Sequence, residues 1–359
     1  MAYKVSIYNK KGGVGKTTIA VNIAALIASK TNTSKRPVHF KGRTIQPGDP
    51  FYRVLLIDAD QQENTSDYLG LGSNFRDDAD KDRHLGTVLT GGSIQDAVIP
   101  FTSRDYLRAD AAGPDILTDE QWIGYDDNGQ EILQKRKFRF RTINNFHVLP
   151  AHANLEKDKP NHNSGYSKVT RALDKAGLED LTLGDLMDED LFRASLSPLL
   201  LAEKIAEVED QYDWIFIDCP PSWDRHSKMS ILACDQIIIP LKPGEFERLG
   251  VIRVMDQLGD LQALYGKRPE LIFAIMNMMR GNVKKHTSYH IKNFRELGKL
   301  VAMTGIPLTE EVNNSQGDMV PFAFAPKKYP VMVKIFNTLF REMRNRFSEL
   351  EKNKEAVRG

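Results

Sequence analysis

The chain has 359 residues, of which 41% are hydrophobic and 27% charged, and its formal net charge is +1. This balance excludes a disordered or collagen-like chain and predicts a globular protein with a sizeable core. Its two cysteines provide neither a disulfide framework nor a metal-binding spacing. No apolar run approaches the roughly 18 residues of a membrane-spanning helix, and the first residues already enter a strand. We therefore expect a cytoplasmic protein without a signal peptide.

The first predicted element is a short buried strand that contains Val5 and Ile7. Residues 10–18 follow it and read K-K-G-G-V-G-K-T-T, and the apolar spacing after them predicts a helix. The glycines let the backbone curl so that successive N–H groups point at one place, as in a phosphate loop at a helix N-terminus. In such a loop Lys16 would reach the β and γ phosphates, and the Thr17 hydroxyl would hold Mg²⁺. The predicted loop residues are Gly12, Gly13, Val14, Gly15, Lys16, Thr17 and Thr18.

A second buried strand begins at Val54, in a segment that reads V-L-L-I-D-A-D-Q-Q-E-N-T. It ends in two carboxylates at alternate positions, Asp58 and Asp60. Because strand side chains repeat every two residues, both carboxylates are expected to point the same way.

A third buried strand closes on Asp218 in the segment Y-D-W-I-F-I-D-C-P-P-S, residues 212–222. A carboxylate there can take a Mg²⁺-bound water, because Mg²⁺ keeps most of its waters and binds through one or two carboxylates. The two prolines stiffen the turn that follows. A later apolar strand, residues 271–277, ends in Asn277, and an Asn at this place is also a common turn former.

The C-terminal part of the chain is basic. Residues 267–299 contain eight Lys or Arg against two Glu, and residues 322–359 contain nine against four. On a helix that starts near Val331, one side is apolar, and Lys334, Arg341 and Arg344 lie on the other. The apolar stripe predicts core packing. The basic stripe is either an ordinary solvated face or a patch that contacts DNA phosphates without sequence preference.

These motifs, in this order, resemble the deviant Walker A family of ParA and MinD-type ATPases, whose loop reads K-G-G-x-G-K-[S/T]. The resemblance, with strands and helices alternating, implies a three-layer α/β P-loop NTPase with a mostly parallel central sheet. It implies that Lys11 is the signature lysine that reaches the partner's nucleotide across a dimer interface. The family's D-x-D-P-Q-G-N string is altered here, with Gln61 in place of Pro and Glu63 in place of Gly.

The resemblance also implies roles for the remaining site residues. Asp60 would position or activate the attacking water, Asp58 would support the Mg²⁺ shell, and Asp218 would be the Walker B carboxylate. Asn277 corresponds to an adenine-contacting residue. The implied catalytic residues are Lys11, Lys16 and Asp60, and the implied metal residues are Thr17, Asp58 and Asp218.

Three segments look inserted relative to the family's shorter chain, near residues 31–50, 101–142 and 157–191. Alternating Arg and Phe within residues 135–141 suits a hairpin strand with one buried and one charged face better than nucleic-acid stacking. We find no internal repeat, so we expect one domain over residues 1–359 with no N-terminal helix-turn-helix.

By resemblance, the chain is expected to be a slow ATPase that forms a homodimer with ATP and binds DNA nonspecifically on the nucleoid. A ParB-like or other adaptor would stimulate hydrolysis and release. Such a cycle partitions plasmids or chromosomes, or positions a cargo. The alternatives are a MinD-like membrane switch, a metabolic or iron–sulfur assembly ATPase, and a binding module without hydrolysis. The last residues, E-K-N-K-E-A-V-R-G, have no apolar face for a membrane, and the cysteines do not form a C-x-x-C pair.

Overall fold

A central sheet organises the protein, whose computed structural model describes residues 2–76, 79–107, 109–125, 130–151, 198–243, 247–279 and 300–358. Its strands lie in the order β10-β9-β1-β8-β4-β7-β5, with β6 paired to β7, and β2 and β3 form a separate hairpin. The strands are β1 (Tyr3–Ile7), β2 (Val38–Phe40), β3 (Arg43–Ile45), β4 (Val54–Asp58), β5 (Ile99–Tyr106), β6 (Leu117–Tyr125), β7 (Glu131–Leu149), β8 (Trp214–Asp218), β9 (Gln236–Leu241) and β10 (Glu270–Met276).

Helices cover both faces of this sheet. They are α1 (Lys16–Ala28), α2 (Asn64–Tyr68), α3 (Leu85–Leu89), α4 (Ile94–Ala97), α5 (Leu200–Ala206), α6 (Arg225–Leu232), α7 (Glu247–Tyr265), α8 (Glu310–Asp318) and α9 (Pro330–Arg358). One core cluster packs α1 and α9 on the sheet, and the other packs α3 to α7 on the opposite face. The predicted three-layer α/β fold with a mostly parallel sheet is confirmed, since β10, β9, β1, β8, β4 and β7 pair in parallel.

The register of the central strands brings the polar residues to one edge. Ile7 is paired with Asp218, and Asp58 is paired with Asp218 from the other side. The three strands β1, β8 and β4 therefore end level with one another. Because parallel strands share a direction, the phosphate loop after β1 and both carboxylates lie at the same carboxyl edge.

Two of the predicted inserted segments lie in described residues. The 31–50 segment contains the antiparallel hairpin β2–β3. The 101–142 segment lies in three antiparallel strands, β5, β6 and β7, and β7 runs on without a break until residues 146–149 pair with β4. We call β5, β6 and the outer part of β7 the arm. The 157–191 segment lies outside the described residues.

The arm differs in one respect from the sequence expectation. Phe138 is buried, but Phe140 on the same strand is 53% exposed, so only part of the predicted buried face is covered. The arm is tied to the end of α8, where Arg136 donates to the carboxylate of Asp318. Asp318 also accepts from Lys328 Nζ at 2.5 Å and from the hydroxyl of Tyr329.

The helix α9 confirms the predicted apolar stripe. Met332, Phe336, Leu339, Met343 and Phe347 are all buried against the sheet. Within the described part of the chain, no helix combines the length and apolar character that crossing a membrane requires.

Candidate nucleotide-binding site

The phosphate loop joins β1 to α1. The side chain of Asn9, at the start of the loop, anchors it by hydrogen bonds. Gly13 and Gly15 adopt left-handed conformations, with φ of 64° and 87°. The side chain of Asn9 donates to the carbonyl of Pro240 at 2.7 Å and accepts from the Lys11 N–H at 2.9 Å. A loop with these torsions turns its N–H groups towards the N-terminus of α1, where an anion is favoured.

Asn277 packs directly against this loop. Its amide is 3% exposed and donates to the carbonyl of Val14 at 2.9 Å. A Cβ atom at Gly15 would lie 1.9 Å from the Asn277 amide nitrogen, so this position requires glycine for space as well as for its φ. The structure therefore gives Asn277 a part in holding the loop, and the adenine contact that the resemblance implies stays a prediction.

Lys16 lies inside the loop it is expected to serve. It is 7% exposed, and its ammonium donates to the carbonyl of Lys11 at 3.3 Å. Burial lowers the pKa of Lys16, while the nearby carboxylates of Asp218 and Asp60 oppose that change. A polyanion at this place would replace the long contact with a neutral carbonyl by contacts with opposite charge.

Asp218 is the best candidate for holding Mg²⁺. Its Oδ2 atom accepts from the hydroxyls of Thr17 and Thr65, both at 2.7 Å, whereas its Oδ1 atom is buried and has no hydrogen-bond partner among the residues that the structure describes. Burial raises the pKa of Asp218 to about 6, against the lowering effect of both hydroxyls and of Lys16. A buried carboxylate oxygen without a partner, next to a threonine hydroxyl, fits the oxygen-only preference of hydrated Mg²⁺.

Asp58 is fully buried and is bound within the protein. Its Oδ2 atom accepts from the N–H and hydroxyl of Ser66 at 2.8 and 2.7 Å, and Oδ1 accepts from the N–H of Asp60 at 3.1 Å. Burial and the neighbouring Asp218 raise the pKa of Asp58 well above its usual value. With both oxygens occupied, Asp58 holds the loop after β4, and its support of the Mg²⁺ shell stays a prediction.

Asp60 reaches the cavity, unlike Asp58. It is 6% exposed, and its Oδ1 atom accepts from the N–H of Gln62 at 3.1 Å. Burial raises the pKa of Asp60, and the Gln62 hydrogen bond and Lys16 offset part of the rise. Asp60 lines the cavity, where its carboxylate could orient a water.

Glu63 occupies the left-handed turn that the family's glycine would form. Its φ is 55° and its ψ is 21°, and it immediately precedes α2. A side chain in this conformation costs about 1–2 kcal/mol. Glu63 therefore holds a backbone conformation that glycine, the residue of the family string, adopts without this cost.

The loop, Asp60 and α2 enclose a cavity of about 680 Å³. Its lining includes Gly12, Lys16, Thr17 and Asp60, as the sequence predicts. Sequence reasoning missed Gln316 and Tyr68, which also line the cavity, and Lys242, whose ammonium lies 3.6 Å from the Cβ position of Gly13. Sequence reasoning also missed Thr65 and Ser66. The signal that could have indicated them is their position directly after the altered D-x-D string.

Lys11 and the basic residues of α9 lie apart from the cavity interior. The side chain of Lys11 is exposed, beside the mouth of the loop. Lys334, Arg341 and Arg344 are exposed on α9, and no carboxylate pairs with them among the side chains that the structure describes. Residues 280–299, which contain most of the other basic segment, lie outside the described residues.

A glycine loop at a helix N-terminus, beside a threonine hydroxyl and a carboxylate on the adjacent strand, defines the class of P-loop NTPase folds. A family model described as an AAA domain matches residues 182–271. Similar sequences include an uncharacterised protein of Methanocaldococcus jannaschii, 25% identical over 72% of this chain, and the chromosome partitioning protein ParA of Myxococcus xanthus, 23% identical over 78%. The chain spans 66% of the first relative's length and 71% of the second's.

Solved structures show the same fold. McdA of Cyanothece in an ATP complex has a TM-score of 0.59 and 16% identity, with 95% of this chain and 96% of that one covered. MinD of Pyrococcus horikoshii with Mg-ADP has a TM-score of 0.52 and 16% identity, covering 94% and 96%. Together, the comparisons confirm the resemblance to ParA/MinD-type P-loop ATPases that the motifs indicate.

Proposed function

We propose that the protein is an ATP-driven switch of the ParA type. The observation that carries this proposal is the buried Oδ1 of Asp218, which has no hydrogen-bond partner in the described part of the chain and lies next to Thr17, at the foot of a phosphate loop that opens into a cavity of about 680 Å³. A site of this size suits a nucleotide. The loop amides and Lys16 would bind the phosphates within one subunit.

Thr17 and Asp218 would hold Mg²⁺, which would offset the negative charge of the phosphates. Asp60 would orient the attacking water, since its carboxylate lines the cavity and is not tied up as that of Asp58 is. The catalytic contribution of such a residue lies in positioning and proton transfer. Hydrolysis would be slow until a partner completes the site.

A homodimer formed with ATP is the second part of the proposal. Lys11 is exposed at the mouth of the loop, where it could reach the nucleotide of a second subunit. A cation supplied from a partner stabilises the charge of the transition state, as an arginine finger does. Each subunit would then complete the other's site.

The third part is nonspecific DNA binding by Lys334, Arg341 and Arg344, with release when a ParB-like or other adaptor stimulates hydrolysis. The acidic side chains of α9 that the structure describes have other contacts: Glu342 accepts from the Met303 N–H at 2.9 Å, Glu351 accepts from the Tyr3 hydroxyl at 2.9 Å, and Glu349 pairs with Arg346 at 3.0 Å. The three cations therefore face solvent with little local compensation. The cycle would partition DNA or position a cargo on the nucleoid.

A MinD-like membrane-associated switch is the second candidate, because it would use the same nucleotide residues. It requires a lipid-binding segment, and vesicle sedimentation with ATP would detect one. Measuring ATP turnover with Mg²⁺, with and without DNA, tests the main proposal. We expect Mg²⁺-dependent turnover that Lys16→Ala abolishes; ATP binding without any turnover would instead favour a binding module.

A further inference from the structure

A buried ion pair lies next to the switch loop after β4. The carboxylate of Glu63 accepts from the Ser73 N–H at 3.1 Å and the Ser73 hydroxyl at 2.6 Å, and its Oε1 atom lies 3.6 Å from Nη2 of Arg76. The side chains of Glu63 and Arg76 are only 6% and 3% exposed. Because water reaches so little of either side chain, each charge depends on the opposite charge for stabilisation.

Arg76 connects this carboxylate to the opposite side of the loop. Its Nη1 atom donates to the carbonyls of Arg83 and Ala151, both at 3.3 Å. The N–H of Ala151 donates to the Ser66 hydroxyl at 2.9 Å, and that hydroxyl donates to Asp58. The guanidinium of Arg76 thus links Glu63 to Ala151, just after β7. Ala151 in turn contacts the loop after β4 through Ser66.

The backbone conformation of Glu63 determines where the residues on either side of it lie. The Glu63 N–H donates to the carbonyl of Asp60 at 2.9 Å, and its carbonyl accepts from the Asp67 N–H at 2.7 Å, in α2. Between these points lies Thr65, whose hydroxyl contacts the Asp218 carboxylate. A different conformation at residue 63 would therefore move both Asp60 and the Thr65 hydroxyl.

We propose that the Glu63–Arg76 ion pair does the work of the glycine usual at this position, and that Arg76 is a positioning residue for Asp60 and Asp218. Glycine adopts the left-handed turn without strain, whereas a glutamate stays in it only if surrounding contacts hold its side chain. The effect on hydrolysis rests on the proposed function. The effect on the conformation of the loop after β4 does not rest on the proposed function.

The pair can be tested by a double-mutant cycle of Glu63→Gly, Arg76→Met and the double variant. The readouts are hydrogen exchange of a peptide covering residues 60–67 in nucleotide-free protein, and ATP turnover. Each single substitution removes one charge of the buried pair and leaves the opposite charge without it, so each single variant should exchange about tenfold faster in this peptide. Turnover should fall about tenfold while KM changes less than about threefold, because the phosphate loop is untouched.

The double variant should recover both slow hydrogen exchange in this peptide and ATP turnover. It has neither an unpaired charge nor a strained side chain, so exchange and turnover should return to within about threefold of wild type. Arg83→Met is the matched control, because Arg83 lies nearby, is more exposed and pairs with Asp80 instead. It should leave exchange of the 60–67 peptide unchanged.

Two results would overturn the proposal: wild-type exchange in Arg76→Met, or a double variant no better than Glu63→Gly. Should Arg76→Met fail to fold, the comparison of Glu63→Gly with the double variant still decides. Wild-type protein without ATP turnover would count against the proposed function alone, because the exchange cycle needs no nucleotide.

Discussion

At the scale of single residues, the nucleotide site depends on a few polar atoms that the fold removes from water. Lys16, Asp60 and Asp218 are all less than a tenth exposed. Burial lowers the pKa of the lysine and raises the pKa of both carboxyl groups, so it favours the neutral form of each. The attraction between Lys16 and the two carboxylates opposes that effect. The site is therefore arranged for a ligand that brings both negative phosphate and a cation.

Lys11→Ala is expected to leave ATP binding largely intact but to abolish stimulated hydrolysis and weaken the ATP dimer. Lys16 and the loop amides already bind the phosphates within one subunit, while a lysine acting in trans would contribute on the order of 10³-fold in rate. Nucleotide affinity, sedimentation and turnover would be measured together. Unchanged dimerisation and turnover would refute the role in trans.

Asp60→Ala is expected to trap the ATP-bound dimer on DNA. The change removes the group that would orient the water without touching the phosphate or metal contacts, so the state before hydrolysis should accumulate. Light scattering and DNA retention with ATP would detect it. A monomeric variant in the presence of ATP would show that Asp60 is needed for binding instead.

The phosphate loop and the three carboxylates could be predicted from sequence because each stands directly after a buried strand. What could not be predicted is which oxygen of each carboxylate is already used. That depends on Thr65 and Ser66 folding back from α2 onto Asp218 and Asp58. The position of Asn277 against Val14 depends likewise on the pairing of β10 with β9, which local sequence does not encode.

At the scale of elements, the arm is joined to the core through buried charge. Arg136 contacts Asp318, which is 1% exposed, and also pairs with Asp119 at 2.9 Å. The alternation of Arg and Phe predicts a strand here. It does not predict that Phe140 stays exposed, because what covers a strand face is decided by α8 and the turn after it, far along the chain.

Arg136→Met should lower the free energy of unfolding by about 1–3 kcal/mol, since Asp318 keeps Lys328 and Tyr329 as partners but loses one charge-assisted bond. Arg141→Met is the matched control on the same strand, because the Arg141 side chain is 46% exposed and its pair with Asp105 should contribute below about 1 kcal/mol. Urea unfolding of both variants tests this. Equal losses would contradict a special role for the buried contact.

Helix α9 is expected to provide the DNA contacts. Reversing charge at Lys334, Arg341 and Arg344 together should abolish DNA binding and leave nucleotide affinity unchanged, because the buried side of the helix is not altered. Reversal at three other exposed cations, Lys81, Lys135 and Arg139, is the control. Equal loss in the control would mean that overall charge, and not this helix face, governs binding.

At the scale of the whole molecule, the net charge of +1 hides an uneven distribution, with the basic excess in the C-terminal part of the chain. A dimer would double any basic face, so nucleotide and DNA binding should be coupled. Each phosphate neutralised on duplex DNA contributes about −0.9 to the slope of log affinity against log salt. Affinity should therefore fall steeply with salt and depend little on sequence.

The most direct test of the account is fluorescence anisotropy of a labelled duplex DNA of arbitrary sequence, titrated with the wild-type protein at low salt with Mg²⁺ and either ATP or ADP. We expect saturable binding with ATP, little binding with ADP, and loss of the ATP-dependent signal on adding salt. Equal binding in both nucleotides, or none in either, would contradict an ATP-driven DNA switch.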